Sequence, residues 1–395
     1  MKIAYVTVDD PQDVHAWSGL VYHIGHSLEP YAQVEYAGPL AHKRFLSDKL
    51  RHLVCEAVSG KRHKRGREPW LLKHQAEQAR PRVTAADPDI VLACSSSPIA
   101  YLECRQPVVM WIDSTFAGLV DYYPEYSNLC AHVIHIGNAA EQRALDRCQR
   151  VIFSSDWAAQ TALKHYRLSP EKIAVVPFGG NLRGAPAEEV RAALRQRSTS
   201  VCRLLFVGVD WHRKGADLAI AVVEALCRAG IPTELTIVGC QPPNGIAVPN
   251  SVRLAGFISK RTEEGRSHLA RLYSEAHFLL FPSRAECYGV VVAEANSFGV
   301  PVVASDAGGI PTAVRAGRNG ISLPLKNFAA EAAAYIAGHW TDAVRYIALA
   351  DSSRNEFDTR LNWRESGRKV AEILATESAA VHDTREQLQR LRTGE

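Results

Sequence analysis

Short apolar runs alternate with amphipathic stretches along both halves of the chain. Such runs are typical of parallel strands buried on both faces, whereas amphipathic stretches are typical of helices that cover a sheet. In the first half we predict strands at residues 2–8, 34–37, 89–94, 108–112, 150–154 and 172–177, and helices at 15–28, 139–148 and 156–165. In the second half we predict strands at 203–207, 234–238, 252–254, 278–281 and 301–305, and helices at 216–228, 267–276 and 288–298.

This alternation predicts the α/β class, with two Rossmann-like domains that are each built on a doubly wound, mostly parallel sheet. The polar stretch at 181–200 predicts the linker region between them. Ligands of such sheets bind outside the carboxyl ends of the strands, so we expect the two domains to face a central cleft. The predicted organisation is an N-terminal domain at 1–180, a C-terminal domain at 181–355, an amphipathic helix at 356–376 and a polar tail at 377–395.

The bulk composition is that of a globular protein with more than one core. The 395 residues suit two domains, and 47% hydrophobic with 22% charged residues is typical of soluble chains. A net charge of +4 does not indicate a nucleic-acid partner. The N-terminal apolar run is too short for a signal peptide, and no run approaches the roughly 20 apolar residues that span a bilayer. Nine scattered cysteines predict reduced thiols, so we expect a cytoplasmic protein.

Two glutamates, Glu286 and Glu294, frame a predicted strand-to-helix junction. Glu286 lies in the loop after an apolar strand, and Gly289, Val290 and Val291 fall in the first turn of the following helix. The first N–H groups of a helix have no acceptor inside it, and together with the helix dipole they favour an anion. Carboxylates beside such a site suit sugar hydroxyls, so the sequence predicts a nucleotide-sugar pocket here.

A set of short motifs in the second half resembles the retaining glycosyltransferases of family 4, also called glycosyl transferases group 1. The resemblance is strong over residues 204–325 and covers the first half only in outline. Besides the two glutamates, the motifs are 206–208 (Phe-Val-Gly), 213–215 (Arg-Lys-Gly), 236–239 (Thr-Ile-Val-Gly), 256–258 (Gly-Phe-Ile) and 306–311 (Asp-Ala-Gly-Gly-Ile-Pro).

The resemblance implies a two-domain fold of the GT-B type and specific roles for the glutamates. By analogy with the family, Glu286 contacts hydroxyls of the donor sugar and Glu294 contacts the ribose hydroxyls, with Tyr288 and Gly289 also in the donor site. It also implies that the acceptor binds the first domain and that the helix containing Trp363 crosses back to that domain.

Arg213 and Lys214 are candidates for neutralising a diphosphate and the charge that develops as it leaves. They follow Gly208, which ends a predicted strand and which we also place in the donor site; a solvated loop pair is the alternative. Many family members have an arginine directly after that glycine, where this chain has Val209. Either Arg213 takes over, or phosphate binding depends mainly on Lys214 and the helix amides.

Asp113 ends the predicted strand at 108–112, where many relatives of the family have a histidine that faces the reacting sugar. An aspartate there could bind a sugar hydroxyl or orient the acceptor, or it could cap the next residues through local hydrogen bonds. Gly19 either lets a phosphate or the acceptor approach the backbone or simply begins a helix. Phe257 and Ile258 either flank the nucleobase through backbone contacts or belong to the core.

Two patterns suggest metal sites, and we reject both. The acidic pattern Asp87-Pro88-Asp89 is that of metal-dependent glycosyltransferases, but here it precedes a buried strand and is typical of an ordinary turn. His132 and His135 are three residues apart, but no second pair has ligand spacing. We therefore expect no metal and no cofactor.

The basic run at 61–67 is the strongest local excess of charge, with Lys43, Arg44, Lys49 and Arg51 upstream of it. A solvated loop or helix face is one interpretation. The other is attraction to anionic lipid or to a phosphate-bearing acceptor, with peripheral contact through residues 43–72 at the inner membrane face.

Taken together, these residues predict a retaining, metal-independent glycosyltransferase. It would move a hexose from a nucleoside-diphosphate sugar to a hydroxyl of a glycan, a lipid or a small molecule. Two alternatives stay open: a sugar-nucleotide epimerase of the same architecture, and an inactive subunit that binds a nucleotide sugar. Phosphorylases also share this architecture, but we find no motif for their pyridoxal cofactor.

Overall fold

The computed structural model describes residues 1–41, 57 and 59–393, with side chains described as far as residue 380. Within these residues the chain forms two compact units. The first comprises Met1–Val176 and Ser366–Glu395, and the second comprises Pro177–Glu365. Each is described by itself below.

The first unit is a parallel sheet of six strands flanked by helices, in the order β2-β1-β3-β4-β5-β6. Its central strands are buried along their whole length, as the apolar runs predict. The strands are β1 (Lys2–Val6), β2 (Gln33–Tyr36), β3 (Ile90–Ala93), β4 (Val108–Ile112), β5 (Arg150–Phe153) and β6 (Ile173–Val175). The helices are α1 (Leu20–His26), α2 (Pro69–Ala86), α3 (Phe116–Leu119), α4 (Ala131–Arg147) and α5 (Asp156–His165).

The second unit repeats this architecture, with the strand order β12-β11-β10-β7-β8-β9 and all pairs parallel. Its strands are β7 (Cys202–Gly208), β8 (Thr233–Gly239), β9 (Val252–Gly256), β10 (Phe278–Phe281), β11 (Val302–Ser305) and β12 (Gly320–Leu323). Its helices are α6 (Ala187–Gln196), α7 (Trp211–Lys214), α8 (Ala216–Arg228), α9 (Glu263–Glu275), α10 (Val290–Ser297), α11 (Ile310–Ala313), α12 (Phe328–Trp340) and α13 (Ala343–Thr359).

The prediction of two doubly wound parallel sheets is confirmed, while several element boundaries were wrong. The polar stretch predicted as a linker contains α6, whose Val190 and Leu194 lie one turn apart and are buried in the second core. A helix that buries only a narrow stripe needs few apolar residues. The polar composition of this stretch therefore led us to predict a linker instead of a helix. Helix α2 was missed because Pro81 interrupts its pattern, and α12, α13 and β12 were missed as well.

The helix predicted at 356–376 is in fact two helices. Helix α13 ends at Thr359, and α14 (Trp363–Thr393) begins after a break. Asn362 caps the new helix, because its side-chain oxygen accepts from the N–H of Glu365 at 2.9 Å. The predicted polar tail at 377–395 is helical as far as Thr393, and within the first unit Arg150 forms an ion pair with Glu377.

No helix in the described ranges combines the length and the apolar character that crossing a bilayer requires.

Candidate functional site

Two neighbouring strands of the second sheet, β7 and β10, position the predicted site residues. They pair in parallel, with Phe278 opposite Leu204 and Leu279 opposite Leu205. Loops that follow parallel strands leave a sheet at the same edge, so the segment after Gly208 meets the segment after Phe281. The first segment carries the short helix α7, and the second leads into α10.

Lys214, at the end of α7, forms an ion pair with Glu286 in the loop before α10. The Glu286 residue is only 9% exposed. Arg213 Nη1 lies 3.8 Å from the same carboxylate oxygen, Oε2, and donates to the Ala285 carbonyl at 3.1 Å. The three charged residues that the sequence predicted at this edge are therefore in contact with one another.

Gly208 leaves room for the Lys214 side chain. A Cβ placed on this glycine would lie 2.8 Å from Lys214 Cγ, which is closer than real Cβ contacts come. The lysine stem therefore crosses directly over the end of β7, and its ammonium lies 5.0 Å from the centre of the Phe281 ring. Such a position is favourable for a cation in a partly desolvated setting. Gly208 thus has a geometric role in placing the lysine.

Gly289 is the residue before α10, whereas the sequence analysis placed it inside the first turn. Its φ of 93° is in the left-handed region, and a Cβ there would lie 2.6 Å from Phe281 Cε1. Only glycine adopts this conformation without strain, and it turns the chain sharply from the Glu286 loop into the helix. Val290 and Val291 form the first turn and are half-buried. Their N–H groups are among those that find no acceptor within a helix.

Glu294 lies one turn into α10 and is completely buried. Its Oε1 accepts from Lys260 Nζ, and its Oε2 accepts from the Tyr273 hydroxyl at 3.2 Å. Burial, followed by the nearby Glu294 charge, raises the pKa of Tyr273 well above its usual range, so this hydroxyl donates. The sequence analysis missed both partners. The one signal in the sequence was the position of Lys260 in the segment that follows β9, at the carboxyl edge of the sheet.

Arg284 connects the two segments of the site and was also missed. Its guanidinium donates to both carboxylate oxygens of Asp217 at 2.8 and 2.6 Å and to the His212 carbonyl at 2.6 Å. Its own N–H donates to the Arg213 carbonyl at 2.7 Å. Burial tends to raise the pKa of Asp217, but the hydrogen bonds and charge of Arg284 lower it overall. The Glu286 loop is therefore fastened to α7 and α8.

Tyr288 and the residues after β9 differ from one another in exposure. The Tyr288 phenol is buried and donates to the Phe178 carbonyl at 2.7 Å, so this side chain serves packing. Phe257 is 69% exposed, which excludes the interpretation of this residue as core. Ile258 beside it is half-buried. The predicted contacts of these residues with a donor stay predictions.

Asp113 and Gly19 lie in the first unit, whereas the other predicted site residues lie in the second. Asp113 directly follows β4 and is half-buried. Gly19 has a φ of 89° and precedes α1, in the segment that follows β1. Because β1 and β4 belong to one parallel sheet, both residues lie at the carboxyl edge of that sheet.

Much of the described basic run is held against the first unit. The backbone of Arg62 forms an isolated parallel β-bridge with that of Leu129, and the Lys64 ammonium lies 3.6 Å from the centre of the Tyr126 ring. Burial lowers the pKa of Lys64. Arg67 Nη1 donates to the Ser96 hydroxyl at 2.7 Å and to buried Glu141 at 3.2 Å, so this cation is neutralised within the fold.

The membrane contact predicted for residues 43–72 therefore applies to fewer residues than the sequence analysis proposed. The upstream cations at positions 43, 44, 49 and 51 lie outside the described residues. Leu71 and Leu72 are buried and cannot reach a membrane surface. Lys61, Arg62 and Arg65 are exposed, and for them the contact stays a prediction.

In the part of the chain that the structure describes, no three His, Cys, Asp or Glu side chains are grouped so that they could hold a metal ion. The expectations of no metal and no cofactor stay predictions.

The chain matches two family models, one in each half. Residues 201–342 match the family model described as "Glycosyl transferases group 1", and residues 34–182 match the model "Glycosyltransferase Family 4". The D-inositol 3-phosphate glycosyltransferase of Streptomyces scabiei is 30% identical over 264 residues, which cover 63% of this chain and 57% of that relative. The chain spans about half the length of the curated relatives it matches.

Two solved structures share the fold along nearly the whole chain. Sucrose-phosphate synthase from Thermosynechococcus elongatus has a TM-score of 0.67 at 19% identity, covering 96% of this chain and 99% of that one. The Anabaena protein HepE, determined in complex with UDP-glucose, has a TM-score of 0.61 at 17% identity, covering 95% of this chain and 100% of that one. At these identities the similarities show the fold alone.

Proposed function

The chain belongs to glycosyltransferase family 4 and has the GT-B fold, and from this premise we propose that it transfers a hexose from a nucleoside-diphosphate sugar to a hydroxyl acceptor. We propose further that the configuration at the anomeric carbon is retained and that no metal ion takes part.

The observation that carries this proposal is the grouping of Lys214, Arg213 and Glu286 next to the amino end of α10. Two cations and helix N–H groups suit a diphosphate, and a carboxylate among them suits a sugar hydroxyl. A donor of this kind brings both chemical groups joined in one molecule. When the donor binds, the Lys214 ammonium would leave Glu286 and pair with the phosphate oxygens of the donor. A hexose hydroxyl would then donate to the Glu286 carboxylate in place of the lysine.

The proposed reaction needs no nucleophile from the protein. The acceptor oxygen forms a bond to the anomeric carbon on the face from which the diphosphate departs, while the bond from that carbon to the phosphate oxygen breaks. The departing phosphate oxygen takes the proton of the acceptor hydroxyl. Arg213, Lys214 and the first N–H groups of α10 stabilise the negative charge that builds up on the leaving group.

Acceptor binding is assigned to the first unit in this proposal. Asp113 follows the buried strand β4, and a half-buried carboxylate there is suited to orient a hydroxyl. The names of the relatives suggest which compounds to test first. We propose D-inositol 3-phosphate as the first acceptor, because several relatives are named for it, and UDP-glucose as the first donor.

A donor and acceptor panel tests the proposal. The protein is incubated with UDP-, GDP- and ADP-hexoses, with and without D-inositol 3-phosphate, simple glycans or lipids, and with and without EDTA. We expect free nucleoside diphosphate only when donor and acceptor are both present, and a product whose anomeric configuration by NMR equals that of the donor. Isomerised donor without acceptor would identify an epimerase instead, and donor binding without turnover would identify a binding subunit.

A further inference from the structure

Glu294 is an unusual residue for a ligand-binding site because it is fully buried and both of its oxygens already have partners. Lys260 Nζ donates to Oε1, and the Tyr273 hydroxyl donates to Oε2 at 3.2 Å. Each carboxylate oxygen has two lone pairs, so each retains one that a ligand hydroxyl could use. The two partners therefore leave the carboxylate with acceptor capacity, and they restrict the direction in which it accepts.

Lys260 is itself held in place by the segment between β9 and α9. Arg266 Nη1 donates to the Lys260 carbonyl at 3.0 Å, and Thr262 caps α9 by accepting from the Gly265 N–H at 3.1 Å. The Lys260 side chain is 28% exposed, whereas that of Glu294 is 0% exposed. The lysine therefore lies on the open side of the carboxylate, and Tyr273 lies on the buried side.

We propose that Lys260 is the positioning residue of the ribose subsite. It holds the Glu294 carboxylate in the orientation in which the remaining lone pairs accept from two ribose hydroxyls, and it compensates a charge that burial alone would make costly. The inference rests on the proposed function, because it takes Glu294 as the ribose-binding residue. Lys260 acts through Glu294 and does not itself bind the diphosphate.

Binding of nucleoside diphosphates tests this without requiring turnover. Calorimetry compares wild type, Lys260→Met, Glu294→Ala and the double variant with UDP, GDP and ADP, and then compares the best of these with its 2′-deoxy and 3′-deoxy forms. A hydroxyl bound by a buried carboxylate contributes roughly tenfold to hundredfold to affinity, so wild type prefers the ribonucleotide by that factor.

In Lys260→Met we expect most of this preference to be lost, as in Glu294→Ala, and we expect the double variant to bind no more weakly than Glu294→Ala. Lys260→Arg keeps the cation and restores part of the preference. Lys326→Met, which changes an exposed lysine of the same unit, leaves the preference intact. A loss of the ribose preference in a variant that still folds and binds the nucleotide is the result that a purely structural role of Lys260 would not produce. Non-additivity of the two changes separates positioning through Glu294 from an independent contact.

Three results would overturn the inference. One is a wild type with no preference for the ribose hydroxyls, or with no affinity for any nucleoside diphosphate. Another is a Lys260→Met variant that keeps the full preference. The third is additive weakening in the double variant, which would make Lys260 an independent contact to phosphate or base. Should Lys260→Met not fold, Lys260→Gln keeps a donor group without the charge and serves the same comparison.

The donor and acceptor panel, run on the same wild-type protein, separates this inference from the proposed function. Glycosyl transfer together with an unchanged preference in Lys260→Met refutes the inference and leaves the function standing. Loss of the preference in Lys260→Met, with no transfer to any acceptor, supports the inference and refutes the function.

Discussion

The ammonium of Lys214 and the carboxylate of Glu286 form an ion pair between the loops that follow two adjacent strands, β7 and β10. Gly208 lets the lysine stem pass over the strand end, and Arg284 fastens the Glu286 loop to the helices α7 and α8. In the proposed reaction, the cation and the acid would thus be in place before a donor arrives. Preorganised charge of this kind would stabilise the departing phosphate of that donor.

Replacing Lys214 by methionine should lower kcat by about two orders of magnitude, as expected when one group that stabilises developing charge is removed. Donor KM should change less, because Arg213 and the helix N–H groups remain. Steady-state kinetics with the best donor from the panel measure both constants. Lys214→Arg, which retains the charge, should recover part of kcat. A methionine variant with normal kcat would remove charge stabilisation by this lysine from the account.

Replacing Arg284 by methionine should impair catalysis although this side chain touches no predicted substrate group. The guanidinium bonds to Asp217 and His212 hold the Glu286 loop, and a loop displaced by about 1 Å can cost up to about a hundredfold in rate. The pair is partly exposed, so the free energy of unfolding should fall by less than about 1 kcal/mol. Kinetics and denaturant melts of Arg284→Met, Asp217→Asn and the double variant check this. Additive losses in kcat would contradict a shared role.

Gly289→Ala should destabilise the second unit more than Gly230→Ala does. Both glycines have positive φ, 93° and 80°, so each substitution introduces backbone strain of about 1 kcal/mol. At Gly230 a Cβ meets nothing within 4 Å, whereas at Gly289 it would lie 2.6 Å from the Phe281 ring. Denaturant melts should therefore show a larger loss for Gly289→Ala, by about 1 kcal/mol or more. Equal losses of unfolding free energy in the two variants would mean that the start of α10 at Gly289 is not constrained by the Phe281 ring.

His277 should make stability depend on pH. Its Nδ1 accepts from the Arg203 N–H at 3.0 Å, and Nε2 lies 2.9 Å from the Ser198 carbonyl, which suits a neutral ring. Burial, followed by the charge of Arg197, lowers the pKa of His277 from 6.5 to about 4. The unfolded chain therefore binds this proton more readily. The contribution of neutral His277 to the free energy of unfolding is therefore complete above pH 6.5. It is lost as the pH falls toward 4, by roughly 3 kcal/mol in total.

Denaturant melts between pH 7.5 and pH 4.5 measure this effect, and His277→Gln should show a shallower dependence than wild type. The exposed His165→Gln serves as the control and should keep the wild-type slope. Parallel curves for His277→Gln and wild type would show that the neutral ring is not required.

The sequence predicted the sheet and the position of Glu286 well for the same reason. A fully buried parallel strand such as β10 must be apolar throughout, so the hydrophobic pattern shows where it ends. The loop that follows the strand, which contains Glu286, must then lie at the carboxyl edge of the sheet. The helix α6 was not visible because only Val190 and Leu194 of its face are buried. Boundaries of mostly polar helices are set by capping and packing rather than by hydrophobic periodicity.

The partners of the predicted acids could not be predicted in the same way. Lys260 and Glu294 are 34 residues apart, and their contact depends on how the segment after β9 lies against α10. Arg284 and Asp217 are 67 residues apart, and their pairing depends on the packing of a loop against α8. Single residues in loops carry no periodic signal, so pairs of this kind become visible only in three dimensions.

A crystal structure with the best-bound nucleotide sugar tests the central claim most directly. We predict its diphosphate within hydrogen-bond distance of Lys214 Nζ and the first N–H groups of α10, with hexose hydroxyls on Glu286 and ribose hydroxyls on Glu294. Density for the nucleotide sugar at another place, with the Lys214–Glu286 pair unchanged, would contradict the account.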